Sequence, residues 1–116
     1  MSRAATISDV FNAIAEPRRR EIIDAIGMEE KGVNELAALL KIAQPSVSKH
    51  LRVLKEVSIL TMRRNGKERL YSLNPESLKP IHDWTSGYRE YWETQTDSIK
   101  ERAETIAKSK NEQQST

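Results

Sequence analysis

The stretch Gln44-Pro45-Ser46-Val47-Ser48-Lys49-His50-Leu51-Arg52-Val53-Leu54-Lys55-Glu56 decides how the rest of the chain is read. Val47, Leu51 and Leu54 recur at i, i+4 and i+7, one apolar stripe of a helix. Pro45 suits the first turn, where its missing N–H has no partner to lose. At 100° per residue, Pro45, Lys49, Arg52 and Glu56 point away from the stripe, with Ser46 and Ser48 on its flanks. The sequence predicts a helix buried on one side and basic and hydroxyl-bearing on the other. His50 lies about 60° from the centre of the stripe, which leaves packing, a backbone hydrogen bond and an outward contact all open to it.

Toward the N-terminus, three residues separate this helix from another, Glu35 to Lys41, with Asn34 as its cap and Leu36, Ala37, Leu39 and Leu40 on its buried side. Met28 to Gly32 reads as a polar loop. Before it, Pro17 opens a short amphipathic helix through Ile22, Ile23 and Ile26, stopped by Gly27. Ile7 to Ala15 forms a first helix, started by a capping-box-like Thr6 and Asp9 and carrying Val10, Phe11 and Ile14 at helical spacing. Arg18, Arg19 and Arg20 crowd the positive end of the second helix and need an anion nearby. Glu16, Glu21 and Asp24 are close, with Arg20 and Asp24 an i,i+4 pair, and a phosphate is the other candidate.

Toward the C-terminus the period changes from 3.6 to 2. Leu60 and Met62 alternate with Thr61 and Arg63, and beyond Asn65-Gly66 the residues Arg69, Tyr71 and Leu73 share a strand face. A β-hairpin is expected, turned at Asn65-Gly66 by a type I′ turn, with Tyr71 in the core at its base. Asn74-Pro75 starts a short turn to Lys79, and from Pro80 a final helix runs to near Lys108, about 40 Å long. The tail 109–116 has no apolar residue and is expected to be disordered. Residues 1–108 thus read as a single domain, mainly α with one small β-hairpin.

The chain has 116 residues, 19 basic and 17 acidic, for a net charge of +2. With no cysteine and only two histidines, His50 and His82, it offers no thiolate metal site, disulfide framework or cysteine nucleophile. His82, Asp83 and Glu76 are a weak grouping, because adjacent side chains on a helix diverge by about 100°. No metal and no cofactor is expected. There is no Gly-rich phosphate loop and no recognisable constellation of catalytic groups, so an enzyme has nothing behind it. No signal-peptide core and no apolar run near the roughly 20 residues of a membrane span is present, which predicts a cytoplasmic protein without membrane contact.

The small net charge hides a strong asymmetry. From Lys41 to Arg69 eight basic residues stand against Glu56 and Glu68 alone, whereas from Glu76 onward six basic residues face eight acidic ones. Two short helices, a three-residue turn, an exposed basic helix and a hairpin tipped with Arg and Lys match a helix-turn-helix with a wing, an arrangement that lays one helix in the DNA major groove. Arg and Lys neutralise phosphates and pair with guanine, and Gln pairs with adenine. A second class is a protein-interaction module that offers the same basic face to an acidic partner.

The same residues resemble a family. Gln44 to Glu56, then Arg63-Arg64-Asn65-Gly66-Lys67-Glu68-Arg69-Leu70-Tyr71-Ser72-Leu73, and Phe11 to Arg20 before them, look like the ArsR family of bacterial winged-helix repressors. The segment from Trp84 through Tyr88, Tyr91 and Trp92 to Glu93 is similar to its cysteine-free, SdpR-like branch. The resemblance implies a homodimeric transcriptional repressor, or autorepressor, on double-stranded DNA with a palindromic operator. It carries DNA contact onto Gln44, Ser46, Ser48, Lys49, His50 and Arg52 and onto the wing residues Arg64, Lys67 and Arg69. It also implies dimer contacts from the first and last helices. Where metal-sensing branches carry Cys-x-Cys, this chain has Gly32-Val33-Asn34, and no residue pattern names an effector. Two positions depart from the family. Ala43 stands where a capping Ser is usual, at a cost of about 0.5–2 kcal/mol, and Ser58 replaces the Gly that follows the helix, at a cost on the order of 1 kcal/mol.

The last helix is broad and aromatic on its apolar side. Ile81, Trp84, Tyr88 and Tyr91 alternate by three and four, and Trp92, Ile99 and Ile106 recur every seven. Aromatic residues are enriched in interface cores, so this surface is read as a dimer face shared with Val10, Phe11 and Ile14. Packing within the chain and an aromatic-lined effector pocket are the competing readings.

Overall fold

A computed structural model describes residues 6–94. The chain divides into two compact units, one through Ile81 and one from His82. In order come α1 (Ile7–Ala15), α2 (Pro17–Ile26), β1 (Glu30–Lys31), α3 (Val33–Leu40), α4 (Gln44–Glu56), β2 (Leu60–Asn65), β3 (Glu68–Leu73), a 3₁₀ turn (Pro75–Leu78) and α5 (Lys79–Ser86). Mainly helical with one small antiparallel sheet, this is the expected class.

Local chemistry explains most boundaries. Thr6 and Asp9 form a reciprocal capping box, each backbone N–H donating to the other's side chain at 3.0 and 3.2 Å. Pro17 opens α2 while the Glu16 carboxylate accepts from the Arg18 N–H, and Gly27 closes it at φ +55°. Ile22, Ile26, Leu36, Val47, Leu51, Leu54, Ile59 and Leu60 are fully buried, joined in the core by Val10, Ala13 and Tyr71. Tyr71 thus sits at the wing's base as the alternation of β3 predicts.

Several expectations are corrected. The loop Met28 to Gly32 contains β1, which pairs antiparallel with β3 and makes a three-stranded sheet of order β1-β3-β2. Two residues leave no periodicity to detect. Because Lys31 is held opposite Tyr71, the chain enters α3 at once, with Gly32 as N-cap, and Asn34 falls inside the first turn instead of capping it. Leu39 is exposed, since it lies roughly 100° from the centre of the arc of Leu36, Ala37 and Leu40 that faces inward. In the hairpin, Asn65 pairs with Glu68, so the two-residue loop is Gly66-Lys67. Only Gly66, at φ +66°, is left-handed there, which is the pattern of a II′ turn and not the I′ turn expected.

The final helix is not continuous. After α5 it is interrupted at Gly87 and Tyr88 and resumes over 89–94. Glycine disfavours helix by about 1 kcal/mol. The Thr85 and Ser86 hydroxyls also donate back to the His82 and Asp83 carbonyls, competing with the backbone ladder. The continuation to Lys108, Ile99 and Ile106 within it, and the tail 109–116 lie outside the described residues. Among the described residues, no helix is long and apolar enough to cross a membrane.

Candidate nucleic-acid interface

The turn between α3 and α4 is made by Lys41, in the left-handed region at φ 55° and ψ 44°, followed by Ile42 and Ala43. The N–H of Ile42 returns to the Ala37 carbonyl at 3.2 Å, closing α3. Ala43 is the N-cap of α4 and has no side chain to accept from the first turn. At the far end, the Ser58 N–H bonds Lys55 O at 3.0 Å and the Ile59 N–H bonds Leu54 O at 3.0 Å, a complete Schellman motif with Ser58 at φ +65°. The buried pair Leu54 and Ile59 supplies its hydrophobic contact. The departures at Ala43 and Ser58 therefore leave α4 with the expected ends.

Val47, Leu51 and Leu54 anchor α4 and orient the rest of it. Gln44, Pro45, Ser46, Lys49, Arg52, Lys55 and Glu56 are exposed, and Ser48 and His50 are half-buried. His50 turns its Nδ1 to Arg19, whose Nε donates to it at 3.4 Å, so the bond is to a side chain of α2. Burial and then the Arg19 charge push the imidazole below its ordinary pKa, which keeps it neutral and able to accept.

The wing adds cations in register. Arg64 stands opposite Arg69 on the face that Met62 and Tyr71 carry into the core, and Lys67 sits in the loop. All three are exposed. Arg63 projects from the other face and grips Glu30 with both ends of its guanidinium, at 2.6 and 3.0 Å, holding that carboxyl below the usual range. It is the wing cation already spent inside the chain, which the charge count alone could not reveal because Glu30 is far away in sequence. Among the described residues, Lys49, Arg52, Lys55, Arg64, Lys67 and Arg69 form no ion pair.

The arginine run of α2 is answered mainly by backbone. Arg18 pairs with Glu21 at 2.9 Å, Arg19 donates to the Ala13 carbonyl at 3.1 Å, and Arg20 donates to those of Ile14 and Ala15 at 2.7 and 3.2 Å. The expected Arg20–Asp24 pair gives way to these carbonyls, because the end of α1 lies nearer and carries the negative end of its dipole.

The residues expected at a dimer surface are divided. Val10 is turned into the chain's own core, 5% exposed, and has no surface to offer a partner. Its position at N4 of α1 aligns it with Ala13 and Ile14 toward α2, and a helical spacing does not say which chain provides the opposite wall. Phe11 and Ile14 are half-buried. In the second unit Trp84, Tyr88, Tyr91 and Trp92 are all at least half exposed, at 51–63%. His82 contacts Asp83 at 3.4 Å and Arg89 at 3.1 Å, and among the described residues no three His, Cys, Asp or Glu side chains are grouped to hold a metal ion.

Helices packed around a tight left-handed turn, the second presenting an unpaired basic face, and a three-stranded sheet whose hairpin carries further cations define a winged helix-turn-helix protein. The chain belongs to the arsR family of bacterial regulatory proteins, whose model matches residues 16–61. It is 33% identical over 78 residues to the transcriptional repressor SdpR of Bacillus subtilis, covering 67% of this chain and 87% of that one. It is 30% identical over 105 residues to the HTH-type transcriptional regulator Rv2034 of Mycobacterium tuberculosis, covering 84% and 98%. Among solved structures, a possible transcriptional regulator for arsenical resistance superposes with a TM-score of 0.62 at 34% identity, over 69% of this chain and 83% of that one. The homodimeric winged helix-turn-helix DNA-binding domain Mb0332 of Mycobacterium bovis superposes with a TM-score of 0.60 over 71% and 79%. At 21% identity, that likeness speaks for the fold alone.

Proposed function

We propose that this protein is a homodimeric, sequence-specific DNA-binding transcriptional repressor of the cytoplasm, without enzymatic activity and without a metal site. Each protomer presents α4 to a major groove through Gln44, Ser46, Ser48, Lys49 and Arg52, with His50 holding the helix on α2 as well as facing the groove's edge. Arg64, Lys67 and Arg69 of the wing reach flanking backbone. Successive half-sites then lie about 34–36 Å apart, which makes the operator palindromic. Residues 1–108 work as one domain, the tail 109–116 outside it, and the exposed aromatic face at Trp84, Tyr88, Tyr91 and Trp92, with Phe11, Ile14 and Ile99, meets a second copy.

The observation that carries this reading is the set of cations on α4 and the wing that no carboxylate among the described residues answers. Counterion release makes such a face a phosphate binder. The test is a fluorescence-anisotropy titration against the duplex upstream of the protein's own gene and a scrambled control, at about 0.15 M salt and below it. Preference for the native duplex by about 10³-fold or more is expected of a specific regulator. Binding to neither duplex, or binding without a negative salt slope, would overturn the assignment.

A further inference from the structure

A cleft of about 210 Å³ opens between α3, α4 and the wing, lined by Val33, Asn34, Gln44, Lys67, Glu68 and Arg69. It is smaller than the roughly 300–1,000 Å³ that small-molecule sites occupy, so a group of phosphate size suits it better than an organic effector. Two amides come from the helix-turn-helix side and two cations from the wing. Neither cation has an ion-pair partner among the described residues. The one anion in the lining is Glu68, and its place depends on Gly32. A Cβ at residue 32 would fall 2.7 Å from Glu68 Oε1, so the carboxylate lies where any other side chain would begin. Gly32 is not left-handed, at φ −94°, and its bareness serves this close approach.

We propose that the cleft is a seat for one backbone phosphate of bound DNA, held by Asn34 and Gln44 on one side and by Lys67 and Arg69 on the other, and that the Glu68 carboxylate in its lining repels that phosphate. The inference rests on the DNA-binding reading above and adds a residue, Asn34, that the charge pattern does not disclose. It also assigns Glu68 a definite effect. Its like charge opposes the phosphate, so the wing binds DNA more weakly than its cations alone would allow, independently of base sequence.

The experiment uses the full chain and a random-sequence duplex, since a backbone contact needs no operator. Glu68→Gln should tighten binding about threefold per seat, the effect of one exposed charge pair, and so about tenfold for a dimer. Glu76→Gln, which removes an equal charge from the 3₁₀ turn and lies outside the proposed interface, should change it by less than about twofold. Asn34→Ala and Lys67→Ala should each weaken binding, and together by less than the product of their separate losses, because both hold the same phosphate. Equal gains from Glu68→Gln and Glu76→Gln, or losses that simply multiply, would overturn the seat while leaving the protein a DNA binder. Absence of salt-dependent binding by the unsubstituted protein would remove both readings together. All four substituted side chains are exposed, and thermal melts check that each variant is folded.

Discussion

Ser58 carries a conformational cost that one substitution should relieve. Its φ of +65° is required by the Schellman motif, and a side chain in that region costs on the order of 1–2 kcal/mol. Glycine loses more entropy on folding, so Ser58→Gly should stabilise the protein by a net ~0.5–1 kcal/mol. Urea unfolding would show this as a higher midpoint at an unchanged slope. An unchanged midpoint would mean that the entropy glycine loses on folding fully offsets the strain it relieves. His50 is the other residue with a measurable signature. Its folded pKa is lowered from 6.5, so between the unfolded and folded values the unfolded chain binds more protons. The stability His50 supplies is present above pH 6.5 and is lost as the pH falls through the folded value. Glu29 and Glu30 act in the same direction but only below 4.5, where their own unfolded values lie. His50→Gln, which retains an acceptor for Arg19, should therefore flatten the stability profile just below pH 6.5 and leave the acid limb intact.

At the scale of elements, the proposed interface divides the work of binding between α4 and the wing. Arg52→Ala should relax specificity at one symmetric base position by about 1–3 kcal/mol. Lys67→Ala should weaken all sequences alike and flatten the salt slope. Titrations of both variants against operator and random duplexes decide it, and equal losses on the two DNAs for both would show that α4 reads no bases. Both elements were legible beforehand for physical reasons. The stripe Val47, Leu51 and Leu54 spans two turns, and the alternation from Leu60 to Leu73 brackets a glycine. What was illegible was either too short or too distant. β1 has only two residues, and its strand character comes from pairing with β3. Arg63 looks like any other wing cation until the sheet brings Glu30 beside it, and the cleft under Glu68 exists only because Gly32 and β3 meet in space. The turn's register depends on which residues pair, and composition at Asn65-Gly66 does not determine that.

For the whole molecule, the second unit is the part to remove. Truncation before Trp84 deletes the exposed aromatic face, and the product should be monomeric or unfolded in analytical ultracentrifugation and circular dichroism. A folded dimer after that cut would move the interface elsewhere. The aromatic spacing after Pro80 did not disclose the break at Gly87, because hydrophobic period is silent about hydroxyls that turn back on the backbone. Within the first unit, Pro17 ends one helix and begins the next, a joint that would ordinarily bend. Here Arg19 and Arg20 reach back across it to the last three carbonyls of α1, and the same Arg19 extends forward to His50 on α4. The joint is braced like a bell crank: a single guanidinium ties the end of α1 to α4, the helix proposed to read DNA.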